Sequence, residues 1–401
     1  MSVLSGKKIL LGISGGIAAY KTPLIVRLLK SQGAEVKIVM TPAAKDFVTP
    51  LTLSTLSNHP VYSTFTEQLH DNPLWNDHVE LGKWADLFLI APATSNTLSA
   101  MVHAKCNNLL IATYLSCTCP VYIAPAMDLD MYAHPANQHN IEELNRIGKK
   151  VLPVGEGYLA SGLHGKGRML EPEEIIGHIT EDLKSVLPLY GKKVLITAGP
   201  TYEPIDPVRF IGNHSSGKMG FALAEEARQL GAHVTLISGP CALEASPDID
   251  RHNISTAEEM HQLALEHFTQ ADIAIAAAAV ADFKPRYVGN QKIKKEAAIQ
   301  SIELEKTRDV LSEMGKLKQK QFLVGFALET EDETSHAIQK IKSKNLDAIV
   351  LNSLNDPGAG FSVDSNKVTY IDKNETITPF ELKSKILVAK DIFSQILTQN
   401  A

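Results

Sequence analysis

Lys7-Lys-Ile-Leu-Leu-Gly-Ile-Ser-Gly-Gly16 decides the fold. A run of aliphatic residues with the character of a buried strand passes directly into a glycine turn. Ile17–Gln32 then shows helical periodicity and stops at Gly33, and Ala34–Met40 reads as a second strand. Strand, glycine turn, helix, strand is how a parallel α/β sheet begins. Working outward, Trp84-Ala-Asp-Leu-Phe-Leu-Ile-Ala-Pro-Ala93 and Val121-Tyr-Ile-Ala-Pro-Ala126 are further apolar strands.

The same opening recurs after Gly191. Lys192-Lys-Val-Leu-Ile-Thr-Ala-Gly199 repeats the lysine pair, strand and glycine, and Gly231–Ser238 parallels Gly33–Met40. Ala271-Asp-Ile-Ala-Ile-Ala-Ala parallels Ala85-Asp-Leu-Phe-Leu-Ile-Ala. The expected fold class is therefore α/β, as two doubly wound, Rossmann-like parallel-sheet domains, 1–190 and 191–401. The join falls near Leu187–Gly191, after a helix over Pro172–Val186. Before that helix, Gly155, Gly157, Gly162, Gly165 and Gly167 crowd a span that reads as a loop able to cover a ligand.

Composition narrows the function classes. The chain has 401 residues, 44% of them hydrophobic, enough for more than one core. A net charge of −6 gives no reason to expect nucleic acid or an anionic membrane as partner. Cys106, Cys117, Cys119 and Cys241 are too few and too scattered for a disulfide framework. The short polar N-terminus lacks a signal-peptide core, and Ile273–Ala281, the most apolar stretch, is bracketed by Asp272 and Asp282. A cytoplasmic protein with no membrane partner is expected.

Neither half carries a dinucleotide fingerprint. Gly12-Ile-Ser-Gly15-Gly16 has the wrong glycine spacing, and the second strands end in Met40-Thr41 and Ser238-Gly239 without a ribose-binding acid. The glycine turn still favours an anion, because amides at a helix start are unpaired donors, and Ser14 adds a hydroxyl. Gly212–Lys218 fits G-x-x-x-x-G-K, but Met219 stands where a P-loop has Ser or Thr. Ser215, Ser216, Gly217 and Lys218 remain candidates for a phosphate-cradling loop. Cys117-Thr-Cys119 has no partner pair at zinc spacing, and His134 with His139 reads as surface histidine.

Several longer motifs are more specific. The second half carries Ala198-Gly-Pro-Thr-Tyr-Glu-Pro-Ile-Asp-Pro-Val-Arg209, Asn213-His-Ser-Ser-Gly-Lys-Met-Gly220, Ala276-Ala-Ala-Ala-Val-Ala-Asp-Phe283, Lys292-Ile-Lys-Lys295, Val324-Gly-Phe-Ala327 and Asn345-Leu-Asp347. The first carries Gly12–Lys21, His78 followed by Trp84-Ala-Asp86, Pro92-Ala-Thr-Ser-Asn-Thr97, Pro125-Ala-Met127 and Gly165-Lys-Gly-Arg-Met169. On these motifs nearly the whole chain resembles the bifunctional coenzyme A biosynthesis family, which joins phosphopantothenoylcysteine decarboxylase to phosphopantothenate–cysteine ligase.

For the second half the resemblance implies amide formation between 4′-phosphopantothenate and cysteine, driven by CTP through an acyl-cytidylate. Ala276, Ala277 and Ala278 would lie along the nucleotide, with Asp282 on its ribose or Mg²⁺ side. Lys292, Lys340 and Lys344 would meet triphosphate or ribose, Phe326 would pack near the base, and Arg308, Asp309, Val310 and Leu311 would form a nucleotide-contacting turn. Asn213 would hydrogen-bond the acyl-cytidylate. Lys292 sits in Lys284–Ala298, a Lys- and Gly-rich segment suited to a closing flap.

For the first half it implies a flavodoxin-like flavoprotein domain that binds FMN and decarboxylates 4′-phospho-N-pantothenoylcysteine. Gly12, Ser14, Gly15, Gly16, Thr41, Thr94, Asn96, Thr97 and Met127 would hold the cofactor, and His78 would be the base. Homo-oligomers are implied as well, trimers of the first domain and dimers of the second combining into a dodecamer.

In the first half three stretches depart from the family pattern, and in the second Arg308 stands where the family usually has Pro. Asp128 stands where the family has Asn, and an ionised carboxylate there repels a substrate carboxylate. Ser161 stands where the family keeps a cysteine proton donor, and a hydroxyl is a far weaker acid than a thiol of pKa about 8.5. Ala104-Lys-Cys-Asn-Asn-Leu-Leu110 replaces a stretch with Gly first and an acid before the leucines. These departures predict weakened decarboxylation with flavin binding kept. The alternative to the bifunctional enzyme is an active ligase whose first domain is a flavin-binding oligomerisation scaffold.

Overall fold

The computed structural model describes residues 2–69, 72–294, 301–329, 332–353 and 363–400. It divides into two compact units, Met1–Lys184 and Ser185–Ala401. The division falls ahead of Gly191 because Leu189 is buried with Val194 and Leu223 in the second unit's core. Its N–H also donates to the Leu230 carbonyl at 2.9 Å.

In the first unit, strands Val61–Tyr62, Glu35–Met40, Lys8–Ile13, Leu87–Ala93, Val121–Pro125 and Lys150–Val151 lie side by side in that order, all parallel. Numbered along the chain this is 3-2-1-4-5-6, the Rossmann order rather than the 2-1-3-4-5 of flavodoxin. Alternation along the opening strand explains the two-sided core. Ile9, Leu11 and Ile13 point to one layer with Ile25, Val26 and Leu29, while Leu10 points to the other with Phe88, Ile90 and Leu110. Each such aliphatic side chain, fully buried, contributes roughly 1.5–3 kcal/mol relative to exposure.

The helix expected over Ile17–Gln32 begins as a 3₁₀ turn, Ile17–Lys21, and becomes α only over Thr22–Ser31. Pro23 sits in the first α turn, where its missing N–H costs nothing. The glycine-crowded span is not a simple loop but an antiparallel hairpin, Val154–Tyr158 against His164–Met169, with a bulge between Lys166 and Arg168.

The second unit repeats the order 3-2-1-4-5-6 in parallel strands Asp250–Asn253, His233–Ser238, Lys193–Ala198, Ile273–Ala276, Phe322–Glu329 and Ala348–Ser353. Antiparallel strands Val368–Asp372 and Ile377–Pro379 extend it. Helices Lys218–Gln229 and Lys385–Gln399 cover one face through Leu223, Ala227, Ile392 and Phe393. Helices Ala257–Phe268, Val310–Leu317 and Glu333–Ser343 cover the other through Met260, Phe268, Met314 and Ile341. Among the described residues no helix is long and apolar enough to cross a membrane.

Candidate functional sites

In a doubly wound sheet ligands bind beyond the carboxyl ends of the strands, where the strand order reverses. In the first unit that point lies between Lys8–Ile13 and Leu87–Ala93, and a cavity of about 690 Å³ opens there. Its walls include Gly15, Gly16, Thr94, Asn96, Met127, Asp128 and Ser161. Gly15 allows the turn to close: a Cβ there would lie 2.7 Å from the Ala43 Cβ and 2.9 Å from its carbonyl oxygen. Gly167 lets the hairpin reach the cavity. Its φ of +137° suits glycine, a Cβ would lie 2.4 Å from the Met127 carbonyl oxygen, and its own carbonyl accepts from Met127 N–H at 3.0 Å.

Other expected residues serve the site without lining it. Gly12 is packed under Phe88, and Ser14, 1% exposed, donates to the Pro92 carbonyl at 2.7 Å and accepts from Thr94 N–H at 3.1 Å. Thr97 and Thr94 share a hydroxyl hydrogen bond of 3.2 Å. Thr41 follows its strand beside the glycine turn, its N–H donating to the Ile13 carbonyl at 2.9 Å. Its Oγ1 is buried without a hydrogen-bond partner, an unsatisfied group of the kind a ligand completes.

His78 is not brought to this cavity. It opens the helix His78–Trp84, capped by Asp77, with its ring 6.2 Å from that of Phe65 and 6.5 Å from that of Trp75. Its Nδ1 is buried and unpartnered.

The structure adds residues that the sequence reading did not single out. Lys21, only 3% exposed, lines the cavity and donates to the Met169 carbonyl and to Glu171 Oε1, each at 2.9 Å. Arg168 also lines it and donates to the same carboxylate oxygen at 2.6 Å. A shared carboxylate compensates both cations and ties the hairpin's end to the glycine turn. Tyr158, Leu159 and Ala160 complete the wall that Ser161 belongs to.

The departures from the family pattern have local explanations. Asp128 is the N-cap of the helix Leu129–Ala133, its Oδ1 accepting from Leu129 N–H at 2.8 Å. Asn108 caps Leu109–Ser116 by accepting from Ile111 N–H at 3.0 Å, a task Asn and Asp perform equally well. Ala104 takes a φ of +50°, where glycine is at ease and alanine is strained.

The second unit carries a cavity of about 540 Å³ at the equivalent end of its sheet. Ala276, Ala278, Asp282, Arg308, Asp309, Val310, Leu311, Phe326 and Lys344 line it, together with Lys306 and Thr307, which were not anticipated. Asp309 caps the helix Val310–Leu317 through Ser312 N–H and pairs with Lys344 at 2.7 Å. Desolvation alone would raise its pKa, but the Lys344 ammonium and the Ser312 N–H outweigh it and hold the carboxyl below its usual range.

Ala277, Asn213, Lys292 and Lys340 do not line this cavity. Asn213 Nδ2 donates to the Ala279 and Val280 carbonyls, each at 3.1 Å, and so fixes the alanine-rich turn. Lys292 is exposed on a segment tied at its neighbour: Ile293 N–H donates to Asp206 at 3.2 Å, and Arg209 donates to the Ile293 carbonyl at 3.0 Å. The rest of the expected flap, 295–298, lies outside the described residues. Among the described residues no group of three metal-binding side chains forms, and the cavity's lining holds two carboxylates, Asp282 and the Lys344-paired Asp309.

Two family models divide the chain. The flavoprotein family matches residues 2–184 and the DNA/pantothenate metabolism flavoprotein C-terminal domain matches 189–399. A cysteine/cysteine sulfinic acid decarboxylase from an unknown prokaryotic organism is 52% identical over 357 residues, 88% of this chain and 99% of that protein. The coenzyme A biosynthesis bifunctional protein CoaBC of Bacillus subtilis (strain 168) is 44% identical over 98% of this chain and 97% of its own. That of Escherichia coli (strain K12) is 41% identical over 99% and 98%. Among solved structures, the C-terminal domain of a CoaBC protein is 40% identical with a TM-score of 0.46, covering 53% of this chain and 97% of that one.

Proposed function

Since the chain belongs to the family of bifunctional coenzyme A biosynthesis proteins, we propose a division of labour between its two units. The enzyme carries out ligation and decarboxylation in coenzyme A biosynthesis. Ser185–Ala401 joins 4′-phosphopantothenate to cysteine using CTP, and Met1–Lys184 decarboxylates the product.

The observation that carries the ligase reading is the composition of the second cavity. Lys306, Arg308 and Lys344 supply positive charge, Asp282 and the Lys344-paired Asp309 two carboxylates, and Phe326 an aromatic face. A carboxylate attacking a triphosphate brings two anions together, so fixed cations lower the barrier chiefly by electrostatic stabilisation and positioning. Mg²⁺ is commonly held by one or two carboxylates plus substrate phosphates, a role Asp282 can fill while Asp309 pairs with Lys344. Asn213 acts by holding the Ala279–Val280 backbone in place. Once the acyl-cytidylate forms, the cysteine amine displaces CMP.

In the first unit the glycine turn, the unsatisfied Thr41 hydroxyl and the size of the cavity fit FMN. A bound flavin supplies a two-electron oxidation of the cysteine moiety and the return of those electrons after CO₂ has left. The hairpin wall from Tyr158 to Ser161 shields the substrate from water, and Lys21 with Arg168 anchors that wall. If His78 is the base, it serves the cavity of a neighbouring copy, which agrees with a homo-oligomer.

The ligase is tested by supplying the purified protein with phosphopantothenate, cysteine and either CTP or ATP. Pyrophosphate release matching amide formation is expected with CTP, and Lys344→Met is expected to lower kcat/KM at least tenfold. Equal rates with ATP, or no loss on Lys344→Met, overturn the assignment. A second reading of the first unit rests on Asp128: its carboxylate lines the cavity and would attract the α-ammonium of a free amino acid such as cysteine or cysteine sulfinate. Mass spectrometry of the products from each substrate separates the two.

A further inference from the structure

Cys117 and Cys119 take no part in either cavity. They flank Thr118 between the end of helix Leu109–Ser116 and the start of strand Val121–Pro125. That is the amino-terminal end of the strand, away from the carboxyl ends where the cavity opens. Both residues are half-buried, both are free thiols, and their Sγ atoms lie 2.9 Å apart. A disulfide needs about 2.05 Å, so the sulfurs have less than 1 Å to travel. Cys106 and Cys241, the other two cysteines, are also free thiols.

We propose that Cys117 and Cys119 form a reversible dithiol modification site, which a small-molecule disulfide oxidises to an intraloop disulfide. The chemistry has an order. The hydrogen bond with Cys119 favours the thiolate at Cys117 and Lys149 adds positive charge, so the Cys117 pKa falls to about 7 against the effect of burial. That same hydrogen bond, then burial and the charges of Cys117 and Asp86, push Cys119 up. Cys117 is therefore the attacking thiolate. It displaces one thiolate from the small disulfide and forms a mixed disulfide. Cys119 gives its proton to solvent and attacks Cys117 Sγ, and the second small thiolate leaves. Two protein thiols and one small disulfide become one protein disulfide and two small thiols.

The loop also bears on the enzyme's architecture. A Cβ on Gly82, in the helix headed by His78, would lie 3.1 Å from the Ser116 carbonyl oxygen and 3.3 Å from the Cys117 Cα. The dithiol backbone is thus the surface on which the His78 helix rests.

The test uses the full-length protein, oxidised glutathione and peptide mass spectrometry after alkylation. Cys117 should be alkylated with a midpoint near pH 7. After treatment with oxidised glutathione, peptide 117–119 should lose two hydrogens and resist alkylation until dithiothreitol is added. Cys119→Ser should instead accumulate glutathione on Cys117. A wild-type protein that keeps a stable glutathione adduct on Cys117, or in which 117 and 119 stay alkylatable while Cys106 is oxidised, overturns the proposal. So does a Cys117 midpoint at or above the roughly 8.5 of an ordinary thiol.

Discussion

Asp128 shows how one side chain can answer to two demands. As an N-cap it satisfies Leu129 N–H, and as part of the cavity wall it places a carboxylate at the proposed substrate site. The cap tolerates Asn and Asp alike, so Asp128→Asn should change stability by no more than about 0.5 kcal/mol. Ser161 is different, because its hydroxyl accepts only a long hydrogen bond of 3.4 Å from Leu163 N–H and is free to be exchanged. Combining Asp128→Asn with Ser161→Cys should raise 4′-phosphopantetheine formation at least tenfold, since a well-placed general acid contributes of order 10²–10⁴. Single-turnover product analysis checks this. Unchanged turnover would mean that proton delivery does not depend on residue 161. The sequence made these positions legible as motif departures. It could not show His78 beside Phe65 and Trp75 rather than in the cavity, because a motif fixes spacing along the chain and not the packing of a helix.

Elements differ in how openly the sequence announces them. The opening strands are plain because runs such as Leu87–Ile90 are buried on both faces of a parallel sheet. The hairpin over 154–169 is not, because its glycines give no alternation, and Gly157 and Gly167 adopt positive φ within the strands. Lys306 and Thr307 escaped notice for a related reason: Leu304–Lys306 is a short strand exposed at every position, with no periodic signal. The strained turn at Ala104 offers a test at this scale. Ala104→Gly relieves an αL alanine immediately after the helix Ser95–Val102 and its cap, and should stabilise the first unit by about 1 kcal/mol. A rise in its thermal midpoint is expected, and a fall would show that the loss of unfolded-chain stiffness dominates.

At the scale of the molecule, each unit has its own sheet, two core layers and a cavity at the same topological place. Among the described residues no sheet draws strands from both units. The second unit, residues 185–401, should therefore fold when expressed alone and retain CTP-dependent amide formation within about threefold per site. Circular dichroism and pyrophosphate release check this; an insoluble or inactive fragment would show that it needs the first. The uncrossed boundary also has a meaning in time. A ribosome adds roughly 5–20 residues per second, so once Lys184 has emerged, adding residues 185–401 takes roughly 10–40 s more. The amino-terminal half can thus be folded, and charged with its cofactor, while its companion is still being translated.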